Sequence, residues 1–362
     1  MKLITTIILS FITSFCFAQN DTTLAKFIEI RDVVLSENKL YAIDNDGKLL
    51  TWNLETGNQE YLTYDTTIKF LSIAIDRNSN IILGTNNGKI FETTNDKKNL
   101  SLKKKLKKEV EVRKIEINSD NEIFLVVPNV LYDPIRDKYW ENFVHNNRQL
   151  IVKNKVFFFF KKRTNKYFRM PQETFIDDND IIWMISNYGE FGGTIQRFDS
   201  KNRKEINTNI DCLRLTMLFP QNIFSDNSKN IYISSGLQHF SNFGEIWRID
   251  NNKAEKIFES EDFKEQYPNE LFVGPSLIDN NSKNIYITTT EGIFKAVLPQ
   301  IGKIQKIELL FEPEIYWDRE PLAIGVKMSI KKLLLTNDGK LIFLTSKNGV
   351  GIFENGKVKY LQ

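Results

Sequence analysis

"FSDNSKNIYISSG" (224–236) and "IDNNSKNIYITTTEGIF" (278–294) are one phrase written twice: an apolar segment, a turn of Asn, Asp and Ser, then a second apolar segment. Written out by that phrase, the chain yields seven second segments. They begin at Leu40, Ile81, Ile123, Ile181, Ile231, Ile285 and Leu341, with spacings of 41, 42, 58, 50, 54 and 56 residues. Short β-rich units repeating at roughly 40 to 50 residues are the mark of propeller blades.

The segments are dense in Ile, Tyr, Phe, Thr and Trp, which suit a pleated, half-buried surface. The turns before them, such as "DRNSN", "NSDNE", "DDND" and "TNDG", use residues that tolerate left-handed backbone or bond their own backbone. No sustained apolar spacing of i, i+3, i+4, i+7 follows the leader, so few helices are expected. A four-stranded blade cannot bury both faces alone, and rings of such blades commonly close at seven. The expected fold is therefore all-β: a seven-bladed β-propeller of four-stranded antiparallel blades, the phrase forming the inner half of each.

On this reading Tyr232, Tyr286 and Phe343 take equivalent second-strand positions. "VFFFFKKRTNKYFRM" (156–170) is expected to supply the outer strands of the long third repeat, its phenylalanines covered on both faces.

"NIILGTNNGKIF" (80–91) and "NIYITTTEGIF" (284–294) resemble repeats of the two-component regulator propeller family. "DNDGKLLTWNLETG" (44–57) resembles a WD-type repeat, with Trp52-Asn53 where Trp-Asp is usual. The resemblance implies seven-bladed periplasmic sensor modules of bacterial hybrid kinases. Because the sequence reaches Gln362 directly after its last blade, with no kinase, a stand-alone propeller is expected.

"MKLITTIILSFITSFCFAQN" (1–20) combines Lys2, an apolar core and a small Ala18, the pattern of a secretory signal peptide with a mature start at Gln19. Its apolar run is shorter than the roughly 20 residues of a membrane span. The bulky Phe15 before Cys16 argues against a lipid anchor. The expected organisation is signal peptide 1–18 and propeller 19–362, exported without stable membrane insertion and with the periplasm favoured over release. The richness in Asn, Lys and Ile is similar to that of exported Bacteroidetes proteins.

Of the two cysteines, only Cys212 would remain after cleavage, so no intramolecular disulfide is possible, and "DCLRLTMLF" reads as a place for a small buried thiol. A net charge of +3 on 362 residues does not indicate a nucleic-acid partner. The basic run 97–114 reads as an exposed outer strand and its loop, lysines discouraging edge pairing. With only two histidines, His145 and His239, the chain has little material for a metal or a Cys/His nucleophile, and no cofactor is expected. "DNDG" (44–47) lacks the further ligands of a calcium loop and reads as a hairpin turn.

With blade strands A to D running outward from the axis, the B–C and D–A connections share one face. The long ones, 187–193, 236–245 and the late D–A segments, fall there and carry aromatic and charged residues. Tyr188, Glu190, Phe191, His239, Phe240, Phe243, Tyr316, Trp317, Asp318 and Arg319 are thus the candidates for a binding mouth, because aromatic and Arg side chains dominate hot spots. The expected function is non-enzymatic binding of a peptide, glycan or protein. The alternative is a propeller hydrolase or lyase, lactonase-like or acting on polysaccharide, using Glu190, Asp318 or Glu320.

Overall fold

The computed structural model describes residues 28–60, 62, 64–65, 67–94, 99–128, 130–140, 171–207, 209–213, 218–238, 242–313 and 330–361. They form seven sheets, each of four antiparallel strands in simple chain order. The seven phrases each lie on a second strand: Lys39–Asp44, Ile81–Thr85, Ile123–Val127, Ile181–Asn187, Ile231–Gln238, Asn284–Thr289 and Leu341–Thr345. Their residues are buried almost throughout, as expected of a strand covered on both faces. Short 3-10 turns at Gly189–Phe191 and Ser260–Phe263 interrupt the β structure.

The first strands, which contact one another from blade to blade, are Ile30–Ser36, Phe70–Ile75, Lys114–Ile117, Glu173–Ile176, Pro220–Ser225, Val273–Asp279 and Ile330–Leu335. The phrase's polar residues explain the A–B turns. In blade five, Asp226 accepts backbone N–H bonds from Ser228 (2.8 Å) and Asn230 (2.9 Å) on one carboxylate oxygen. Its other oxygen takes the Asn230 amide and the buried Tyr232 hydroxyl, both at 2.8 Å. Asp76, Asn118 and Asp177 accept the equivalent backbone bonds. Each A–B turn also holds one residue at positive φ, for example Ser79 at 61° and Lys229 at 67°. Asp226→Ala would leave the 1 % exposed Tyr232 hydroxyl without its acceptor. We expect a loss of about 2 to 3 kcal/mol, read as a lower urea midpoint at unchanged m-value.

The core is divided among seven seams. Tyr41 and Ile43 of blade one meet Phe70 and Leu83 of blade two, and each later seam repeats the arrangement. The ring closes where Ile30, Val33, Leu40 and Trp52 pack on Ile342, Leu344, Val350 and Ile352. Lys332 bonds Asp32 (2.9 Å) and Lys347 bonds Glu29 (2.6 Å) across the same seam. Blades one and seven each take all four strands from one continuous stretch.

Four expectations change. Blade three is complete by Trp140, its outer strands being Val130–Asp133 and Lys138–Trp140 rather than 156–170, which lie outside the described residues. Tyr232, Tyr286 and Phe343 do share the second strand, but Phe343 stands one place later in its phrase. Side chains alternate along a strand, so Phe343 faces the preceding blade while the two tyrosines face the following one. Cys212 is exposed, not buried. It sits at a φ of 70° just after Asp211 bridges to Lys253, a turn that directs Ile210 inward instead.

The fourth concerns 236–245, expected as a long B–C loop. Most of it continues the ladder, pairing Gly236 with Gly244, Leu237 with Phe243 and Gln238 with Asn242. Its glycines admit the next blade: a Cβ on Gly236 would stand 2.1 Å from the Val273 carbonyl oxygen. As expected, 44–47 is a hairpin turn with Gly47 at a φ of 86°, and Leu100–Lys105 is an exposed outer strand. No helix among the described residues is long and apolar enough to cross a membrane.

Candidate functional site

The ladder register decides what faces the axis. Asp32, Ser72, Lys114, Thr174, Asn222 and Lys332 stand opposite Ile43, Gly84, Val126, Met184, Ser234 and Leu344, the fourth residue of each phrase. Blade six offers Ser276 opposite Ile287, one place earlier. Blades two, five and six therefore present small neutral groups that bond locally. Ser72 donates to the Val112 carbonyl (2.8 Å), and the Asn222 amide exchanges bonds with the Ser276 backbone at 2.8 and 2.9 Å.

Blades one, three and seven present charge instead, and Glu173, next to Thr174 in blade four, joins them. Lys332 pairs with Asp32 at 2.9 Å, and Lys114 with Glu173 at 3.6 Å. Burial alone would raise the Asp32 pKa, but Lys332 and Lys114 hold it below the ordinary carboxylate range. Blades one and three are not neighbours, so Asp32 and Lys114 interact across the channel. Glu173 raises the Lys114 pKa against the opposing effect of burial, keeping the ammonium charged.

Glu116 differs. It lies two residues further down the same strand, and its carboxyl accepts a bond from the Thr174 hydroxyl. Its side chain is half-buried. Burial, with Glu173 adding to it, outweighs the Thr174 bond and pushes its pKa up to about 7.

Above this ring lies a cavity of about 730 Å³ lined by Arg31, Asp32, Leu71, Glu111, Arg113, Lys114, Pro128, Pro171 and Gln172. These residues come from the beginnings of A strands, the D–A segments before blades three and four and the B–C turn of blade three. The cavity thus opens on the face expected from loop lengths, but over blades one to four. Arg31 and Leu71 occupy the β-bulges of their first strands, between Ile30 and Asp32 and between Phe70 and Ser72. A bulge drops one residue from the ladder and re-aims its side chain.

The sequence candidates are placed elsewhere on that face. Tyr188, Glu190 and Phe191 sit together in the five-residue B–C connection of blade four. The Tyr188 hydroxyl is 3.0 Å from Thr194 Oγ1, and Phe191 is 79 % exposed. Phe243 packs edge-on against Phe219 at 5.8 Å. None of these four lines the cavity. His239, Phe240, Tyr316, Trp317, Asp318 and Arg319, with His145 and Glu320, lie outside the described residues.

One of the long D–A segments, 260–272, is packing. Phe263 stacks on Phe258 (5.2 Å) and Tyr267 meets Phe294 edge-on (5.4 Å), covering the seam between blades five and six. Among the described residues no group of three His, Cys, Asp or Glu could hold a metal ion.

No family model and no curated protein matches the chain. Among solved structures it is similar to virginiamycin B lyase from Staphylococcus aureus, at 12 % identity and a TM-score of 0.57, covering 90 % of this chain and 94 % of that one. A catalytically inactive variant of that lyase with quinupristin gives 12 % identity and 0.55, covering 91 % and 96 %. At this identity the likeness is one of fold, and the lyase activity belongs to those proteins.

Proposed function

We propose that this chain is a non-enzymatic binding propeller, exported by its N-terminal leader, that takes a peptide, a glycan or a segment of a protein partner into the mouth of its axial channel. The observation that carries this reading is the cavity of about 730 Å³ on the B–C and D–A face, which is of the size that holds small ligands. Its lining combines apolar walls at Leu71, Pro128 and Pro171 with charged groups held in place by ion pairs. Such a mixture gives a ligand contact area and fixes its orientation.

The test is a screen of short peptides and oligosaccharides by thermal shift, repeated on two variants. Leu71→Trp fills the mouth from a bulge position and should weaken any hit at least tenfold while the far-ultraviolet spectrum stays that of the parent. Phe191→Ala removes the most exposed aromatic of the rim and should change the same hit less than twofold. The reverse pattern would move the site to the blade-four loop and overturn the assignment.

A further inference from the structure

The charges around the channel mouth can be matched one by one. Arg113 is paired with Glu111, Lys114 with Glu173, Lys332 with Asp32 and Lys347 with Glu29. Two cations are left over. Arg31 makes one hydrogen bond among the described residues, from Nη2 to the neutral Asn45 carbonyl at 3.0 Å. Lys331 has no ion pair or hydrogen bond among them.

These two residues are the same position in adjacent blades. Arg31 is the bulge residue between Ile30 and Asp32, and Lys331 the bulge residue between Ile330 and Lys332. The bulges release both from the ladder, across the seam that closes the ring. The corresponding bulge residue is the neutral Leu71 in blade two and Gln221 in blade five, so among these bulges the cations fall on the closing seam. Partial desolvation lowers the Lys331 pKa; the Glu29 and Asp32 carboxylates oppose this and Lys347 and Arg31 add to it by repulsion, so these charges lie within reach of one another across the seam. The two nearby carboxylates are already taken, Glu29 by Lys347 and Asp32 by Lys332.

Arg31 lines the cavity and Lys331 stands at the matching bulge across the seam, and two like charges so placed favour an anion between them. Resting on the reading of the mouth as the binding site, we infer that Arg31 and Lys331 form a two-cation clamp for an oxyanion at one end of the ligand: a carboxylate, sulfate ester or phosphate ester. The guanidinium offers a planar fork of donors to such a group, and the ammonium a compact charge beside it. The apolar wall at Leu71, Pro128 and Pro171 is left for the body of the ligand.

Titration calorimetry with glucose, glucuronate, glucose 6-sulfate and glucose 6-phosphate, at 20 and 200 mM NaCl, tests this directly. At least one charged sugar should bind ten times more tightly than glucose at low salt and lose affinity at high salt. Which one does so identifies the oxyanion. Arg31→Gln and Lys331→Gln should each weaken that binding at least tenfold, and the double variant should bind charged and uncharged sugars alike. If charged sugars bind no better than glucose, or if the double variant keeps the preference, the clamp is wrong. Uncharged hits from the peptide and glycan screen that Leu71→Trp still blocks would leave the binding mouth standing in that event. Loss of that block would remove both readings.

Discussion

Truncation of Phe343 to alanine should lower the folding free energy by about 3 to 5 kcal/mol, the range for deleting a buried phenylalanine from a core that cannot collapse around the void. The ring is fully buried. It lies 5.6 Å from Phe311 and 5.8 Å, edge-on, from Tyr360, so it ties the outer strand of the sixth blade to the outer strand of the seventh. Its cross-strand partner is Gly351, where a Cβ would come within 2.1 Å of the ring. The two residues are one packing unit. Gly351→Ala should cost about 1 to 3 kcal/mol in the parent, from overpacking, and far less beside Phe343→Ala, where the added methyl enters the void. Urea unfolding of the four proteins checks this, and additive losses would show that the glycine serves the backbone instead.

Glu116→Gln should make the protein more stable than the parent above neutral pH, by on the order of 2 kcal/mol. The sign follows from the raised pKa of about 7 against the ordinary 4.5. The folded state holds this proton more tightly than the unfolded chain does. As pH climbs from about 4.5 to about 7 the unfolded chain loses its proton first, so the parent's stability falls across that window and levels off above it. Glutamine carries no such proton and can still accept the Thr174 bond. The carboxylates whose pKa is lowered, Asp32 and Asp180 among them, act in the opposite direction and at lower pH. Denaturant midpoints of both proteins between pH 4.5 and 8.5 should therefore coincide at the acid end and diverge toward the alkaline end. Parallel curves would mean that water in the channel solvates Glu116 as it would at the surface.

The blades were legible because a second strand such as "IYIS" is buried on both faces and is announced by an Asp turn whose backbone bonds need that residue type. Both signals are local. The channel was not legible, because the residues that face it have no chemical type in common and bulges in five of the seven first strands re-aim their neighbours. Five of the inward residues, Ser72, Lys114, Asn222, Ser276 and Lys332, stand nine residues before the phrase, but serine, lysine and asparagine share no signature that marks the position. Only the presence of charge inside short apolar strands, "IRDVV", "RKIEI" and "IKKLLL", hinted at them. Loop length misled at 236–245, where the ladder continues to the Gln238–Asn242 pair and the chain simply extends its hairpin. Aromatic content misled at 260–272, since Phe263 and Tyr267 pack inward. Nothing in the residues themselves distinguishes an aromatic that lines a mouth from one that covers a seam.

The joint between the first and last blades is made by side chains packing and pairing across it. A ring whose blades are each woven from one stretch of chain has no privileged starting point, so the order in which the blades are written is free of the geometry they adopt. Circular permutation at a D–A connection such as 106–113, with the old ends linked, would preserve all seven sheets and every seam. By the same reasoning the closing seam is the one joint not held by a covalent connection between its blades. Strain from a ligand wedged between Arg31 and Lys331 would therefore be felt first at the place where the circle can part without breaking a sheet.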